Sequence, residues 1–282
     1  MKAGSPVADV GHTKNRRITG TDFGTWAVLT EGSALASVAV LPYALSLSGN
    51  SLERINEQLA QRGRKPLTRA QLLALSFLQG HVTFGIAAAL GLLLGKPMGI
   101  GPAHIGSLLD GTGFSMSRGE AATYAAGGAA TSIVLVALEF TLFKRVRDEF
   151  AKQGVGEPEV WKAVLACLYG GFAEEVLMRL GLQTLLAAGI RRLVKDRAVP
   201  PTGATMWPAI VLSNIGFGVG HLPATSAMVP LTPTVVVRAL LLNSLVGVPC
   251  GYLYWKQGLE AAMMAHGTAD VVVHVGGSLL QR

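Results

Sequence analysis

Three short polar strings interrupt the apolar segments of this 282-residue chain. The first is Phe172-Ala173-Glu174-Glu175-Val176-Leu177-Met178-Arg179. Glu175 and Arg179 stand four apart, so on a helix they share a face and can form an ion pair. Glu174 is turned about 100° from that face and is left free to accept a proton. The second string is Asn214-Ile215-Gly216-Phe217-Gly218-Val219-Gly220-His221. Phe217 and His221 share a helix face, Asn214 lies on the same side, and the glycines leave room for another backbone or a ligand. The third is Ala265-His266-Gly267-Thr268-Ala269-Asp270, again with four-residue spacing between the imidazole and the carboxylate. His274 lies two turns beyond His266 and is a weaker candidate.

Together Glu174, Glu175, Arg179, His221, His266 and Asp270 supply a base, imidazoles and a charge partner, but no serine or cysteine nucleophile. That set suits direct attack of an activated water on a carbonyl. The same groups also suit a proton or ion relay in a membrane transporter, so two functional classes stay open. Against the transporter, no pair of interrupted helices recurs in two matching halves. Two carboxylates and two histidines are also a potential zinc set, but no HExxH helix is present, and the expectation is no metal and no cofactor. No Gly-x-Ser-Gly or Gly-x-Gly-Asp string points to serine or aspartyl intramembrane chemistry.

The elements that must position these residues follow from composition. Half of the residues are hydrophobic and 15% are charged, where a soluble domain carries about a quarter charged. Mean hydropathy is +0.43, and there are 35 glycines. A disordered chain, a nucleic-acid module and an ordinary soluble enzyme are disfavoured. The expected class is all-α, a polytopic transmembrane bundle of about six to eight spanning helices in the cell membrane. The net charge of +7 comes from basic clusters between apolar runs, such as Arg62, Arg64, Lys65 and Arg69, which fit loops and lipid headgroups rather than nucleic acid. Cys167 and Cys250 read as small core residues.

A span needs roughly 20 apolar residues. Segments at about 71–95, 120–143, 160–190, 207–229, 233–255 and 258–280 meet this, and 25–48 is a weaker seventh, interrupted by Glu31 and Pro42. Residues 50–70 read as an amphipathic interfacial piece and 96–119 as a glycine-rich loop or re-entrant segment. Residues 1–22 read as a polar, basic tail, and 23–282 as one membrane-embedded helical domain without internal repeat. Basic residues are too evenly shared between alternate loops to set an orientation. Gly91 and Gly95, and again Gly216 and Gly220, are spaced for close helix contact. Glu31, Gln79, His81 and Glu139 read as segment-end or contact residues, while Arg238 and Asn243 are further candidates for lining the cavity. Charged groups inside membrane helices face the bundle interior, so the three strings should meet in one polar pocket.

The pattern Glu174-Glu175-x-x-x-Arg179, Phe217-x-x-x-His221, His266-x-x-x-Asp270 resembles the three-motif signature of the CPBP family. These are the CAAX proteases and bacteriocin-processing (Abi) enzymes, including type II CAAX prenyl endopeptidases. The lead from Gly251-Tyr252-Leu253-Tyr254 through Gly258-Leu259-Glu260 to His266 is also similar, and the likeness covers about 160–275. It implies a glutamic endopeptidase acting on a peptide or protein within the bilayer: a CAAX-type, bacteriocin or other small membrane peptide. By that likeness Glu174 with His221 activates the water, Glu175 with Arg179 organises the site, and His266 with residue 270 stabilises the oxyanion. Family members often carry asparagine at the last position. An ionised Asp270 would repel an oxyanion, so it is either protonated or acts through His266, and the four-residue spacing favours the second.

Overall fold

A computed structural model of the chain describes residues 19–47, 52–153 and 158–280. Residues 1–18 of the expected tail lie outside the described residues. Among those described there is no strand, and the architecture is the expected all-α bundle.

In chain order the helices are α1 (Gly20–Ala39), α2 (Leu41–Leu47), α3 (Leu52–Gln61), α4 (Arg69–Gly95), α5 (Ile105–Leu109), α6 (Arg118–Phe140) and α7 (Lys144–Lys152). Next come α8 (Val160–Leu168) and α9 (Thr184–Leu193), joined by π-helical turns over Tyr169–Glu174 and Val176–Gln183. The last are α10 (Gly203–Ser226), α11 (Pro233–Gln257), α12 (Leu259–Asp270) and, after a π-helical turn at Val271–Val275, α13 (Gly276–Leu280).

Local chemistry sets several of these starts. Thr19 with Asp22, Thr68 with Gln71, and Ser117 with Glu120 form reciprocal capping boxes on α1, α4 and α6, satisfying amide donors that have no intrahelical partner. The first box starts α1 at Gly20, inside the stretch read as tail. Pro42 cannot continue the backbone hydrogen-bond ladder, and α2 leaves α1 at a bend of 40°. Before α10, Asp196 accepts hydrogen bonds from Thr205 Oγ1 (2.7 Å), Thr202 Oγ1 (2.8 Å) and the Ala198 and Thr202 amides. These bonds, the one from Thr205 foremost, hold its carboxyl well below the usual carboxylate range.

Within the described residues each of the seven apolar segments is largely helical. Among the described residues, three helices are long and apolar enough to cross a membrane: Arg69–Met98, Arg118–Phe140 and Pro233–Gln257. The bent pair Gly20–Ala39 and Leu41–Leu47 makes a fourth. The stretches 160–190 and 258–280 are divided by their π-helical turns into shorter regular helices.

The core is built largely from alanine and branched aliphatic residues, with Leu29, Phe84, Ala88, Val176, Leu180, Ile210, Tyr254 and Leu259 at its centre. Leu78, Val82, Ile86, Leu93, Ile133 and Phe140 point outward, as a lipid-facing surface requires. Between helices in lipid there is no hydrophobic drive, so small residues let backbones meet and gain dispersion contacts. Gly128 of α6 lies directly on the Ala265 carbonyl of α12, and a Cβ at Gly171 would stand 2.7 Å from Gly267 Cα. Gly91 packs under Leu180. Gly216 and Gly220 do not make the expected backbone contact. Gly220 faces open space, and Gly218 between them is the glycine against α11, where a Cβ would stand 3.1 Å from Leu240 Cα.

One loop is fastened to α12. Gly258, at φ +98°, turns the chain from α11 into α12, a conformation open to glycine. Two residues on, the buried Glu260 carboxylate accepts the Ala103, His104 and Ile105 amides, each at 2.8 Å. Leu259 N–H adds a bond to Gly101 O at 3.0 Å.

Candidate active site

Glu175 sits between the two π-helical stretches, Tyr169–Glu174 and Val176–Gln183. Such turns insert an extra residue per turn and commonly accompany functional sites. Here they present Glu174 and Glu175 to α12, which packs against this segment. The expected ion pair is present. Arg179 Nε donates to Glu175 Oε2 at 3.2 Å, with neither side chain exposed.

The other carboxylate oxygen, Glu175 Oε1, meets His266 Nδ1 at 2.8 Å. A carboxylate only accepts, so Nδ1 carries the hydrogen and the ring presents Nε2 on its opposite edge. Around Nε2 stand Asp270 Oδ1 at 3.6 Å and Glu174 Oε2 at 3.9 Å. Both distances exceed a direct hydrogen bond, yet the three atoms are close enough to share one small polar molecule. Glu174 and Asp270 are 18% and 16% exposed, against zero for Glu175, so these two are the accessible carboxyls of the cluster. Three carboxyl groups thus meet one guanidinium and one imidazole.

Glycine makes this assembly possible. A Cβ at Gly170 would occupy the place of Asp270 Oδ2 and stand 3.6 Å from His266 Nε2. His221 joins from α10 through an aromatic contact. Its ring meets Phe217 edge-on with centroids 4.6 Å apart, and Phe217 meets His266 edge-on at 6.2 Å. His221 Nδ1 lies 2.9 Å from its own helix's Phe217 carbonyl. A carbonyl accepts, so here too Nδ1 carries the hydrogen and Nε2 is the ring edge turned away from its own helix backbone.

The structure therefore brings Glu174, Glu175, Arg179, His266 and Asp270 into one cluster and sets His221 beside it across Phe217. One expected detail differs. The partner that orients His266 is Glu175, because its carboxylate reaches Nδ1, whereas the four-residue step to Asp270 leads to Nε2. Arg238 and Asn243 are engaged elsewhere. Arg238 pairs with Glu139 and lies over the Phe150 ring at 5.0 Å, while Asn243 Nδ2 donates to Ala239 O within its own helix. Glu31 pairs with His81 at 3.1 Å. Cys167 and Cys250 are buried thiols.

Several neighbours escaped the sequence reading. Tyr43 OH, just past the Pro42 bend, lies 2.9 Å from His274 Nδ1, and His274 Nε2 is 3.9 Å from Asp270 Oδ1. Gln183 is buried one turn after Arg179, and its polarity in an apolar run was the signal for it. Tyr254 OH and Thr184 Oγ1 share a buried hydrogen bond at 2.5 Å. Among the described residues, no group of three or more His, Cys, Asp or Glu side chains has the arrangement of a metal site.

Comparison with known proteins bears on this segment. Residues 156–272 match the family model described as type II CAAX prenyl endopeptidase, Rce1-like. No curated protein and no solved structure matches the chain. The matched stretch contains all three polar strings and every residue of the cluster. Over residues 156–272 the chain is therefore similar to the type II CAAX prenyl endopeptidases, Rce1-like, of the CPBP family.

Proposed function

We propose that this chain is an intramembrane glutamic endopeptidase, with Glu174 as the base that activates water. The supporting observation is the ring of His266, fixed on one edge by buried Glu175 at 2.8 Å and facing Glu174 and Asp270 with the other. A water held between Glu174 and the imidazoles loses its proton to Glu174 as its oxygen bonds to the peptide carbonyl carbon. The carbonyl electron pair moves onto oxygen, and His266, doubly protonated with its Nδ1–H on Glu175, donates from Nε2–H to that oxyanion. As the tetrahedral carbon collapses, the C–N bond breaks and Glu174 returns its proton to the leaving amine. His221 keeps an Nε2 lone pair available to accept from the same water. Glu175 and Arg179 touch no substrate in this scheme and serve to fix the ring of His266. Asp270 stands on the Nε2 edge at 3.6 Å, beside that donor.

The proposed substrate is a CAAX-type membrane peptide, entering from the bilayer toward Glu174 and the Nε2 edge of His266. The test is cleavage of a prenylated CAAX peptide, beside its unprenylated twin, by protein reconstituted in liposomes. Glu174→Gln and His221→Ala should each lower kcat by roughly 10²–10⁴-fold, the size of a lost acid–base group, with unchanged melting. Full activity in both variants overturns the mechanism. Glu174-dependent ion flux without peptide cleavage turns the reading toward a transporter.

A further inference from the structure

Behind the Glu175–Arg179 pair lies a second set of polar atoms with no role in the scheme above. Arg179 uses Nε on Glu175, and its Nη1 and Nη2 are buried without a hydrogen-bond partner in the protein. Asn214 Oδ1 and Gln183 Oε1 are buried in the same condition. The residues are 0%, 1% and 0% exposed, respectively.

The amide orientations are fixed by chemistry. Asn214 Nδ2 donates to Ile210 O at 2.7 Å and Gln183 Nε2 donates to Gly251 O at 3.0 Å. Backbone carbonyls only accept, so neither amide can be reversed without setting oxygen against oxygen. Each therefore turns its acceptor oxygen the other way. Both oxygens lie along one face of α11, where glycines stand a turn apart. A Cβ at Gly247 would strike Asn214 Oδ1 and come within 3.1 Å of Arg179 Nη2, and one at Gly251 would stand 2.8 Å from Gln183 Oε1. Two groups of donors and two acceptors thus meet around a face cleared of side chains.

Leaving this many buried polar atoms unpaired is disfavoured, and the customary remedy is enclosed water, which typically makes about three hydrogen bonds. We infer that Asn214 and Gln183 are positioning residues that hold the Arg179 guanidinium through buried water, and through it the Glu175 carboxylate and the His266 ring. The catalytic part of this inference rests on the peptidase reading, whereas the hydrated junction does not.

The experiment combines a structure of the full chain in lipid nanodiscs, at a resolution that shows water, with peptide cleavage by variants. Density bridging Arg179 Nη to Asn214 Oδ1 or Gln183 Oε1 is expected. Asn214→Leu and Gln183→Leu should lower kcat about ten- to a hundredfold, the scale of a removed buried partner, with KM unchanged at equal folded fraction. Asn214→Ser, which keeps an acceptor, should recover part of the loss, a recovery that simple packing would not produce. Gly247→Ala, which fills the junction, should behave like Asn214→Leu. Dry density there, or folded apolar variants with wild-type kcat, overturns the inference. If the wild-type protein cleaves nothing, the peptidase reading fails, and the density alone decides the junction.

Discussion

Two ion pairs mark the contrast between the helices before residue 153 and the stretch 156–272. Lys96 and Asp22 meet at 2.7 Å where α4 ends beside the start of α1, with 60% and 26% of their side chains exposed. Arg179 and Glu175 meet at 3.2 Å with none exposed. An exposed pair gains little, because water and salt screen it and two long side chains must be ordered. A buried pair gives up hydration, so either partner alone is a liability. The first region keeps most of its charges at helix ends, leaves the mid-helix Glu31–His81 pair partly exposed, and coheres through caps and small-residue packing. The second carries charge to the centre of the bundle, where that charge can act on a reaction.

That contrast can be broken at several points. The largest effect is expected from Arg179→Met, which strips the buried Glu175 of its guanidinium and leaves it the His266 contact; it should cost about 3–5 kcal/mol of stability, read as a lower melting temperature in detergent. Arg179→Met with Glu175→Leu should recover much of that stability while activity stays lost, separating charge burial from function. Next is Gly128→Leu, which drives a side chain into the Ala265 backbone and should cost about 1–3 kcal/mol or more. The same change at Gly220, which faces open space, should be nearly neutral by the same melting assay. Lys96→Met should shift stability by less than about 1 kcal/mol, and less still in high salt. If it rivals Arg179→Met, the distinction between the regions fails.

The smallest effect concerns pH. The Asp196 carboxyl is held low in the folded chain by its threonine bonds. A depressed folded value stabilises above the unfolded value of about 3.9 and is lost as pH falls toward the folded one. Melting curves of wild type and Asp196→Asn should therefore differ at neutral pH and converge progressively below about pH 4.

The helices were legible because apolar runs of the right length have few alternatives in lipid, whereas the capping pairs at 19, 68 and 117 start three of them a few residues before those runs. The Glu175–Arg179 contact was legible because it lies within one helix. What partners His266 was not, since Nδ1 is reached by a side chain 91 positions away and the approach depends on π-helical turns that no periodicity announces. For the same reason Asn214 read as a neighbour of His221, although its acceptor faces α11 and Arg179. Glu260 looked like part of a motif's approach, because its three amide partners come from a loop some 155 residues earlier.

Glu260 has a mechanical consequence. It stands six residues before His266 on α12, about 9 Å along a rigid rod, and it clasps the backbone at 103–105 with charge-assisted bonds. The loop is thereby a handle on that rod. A pull or push on residues 101–105, from lipid or from a substrate tail, is felt as a tilt of the imidazole, and freeing the loop would let the imidazole drift from its carboxylate.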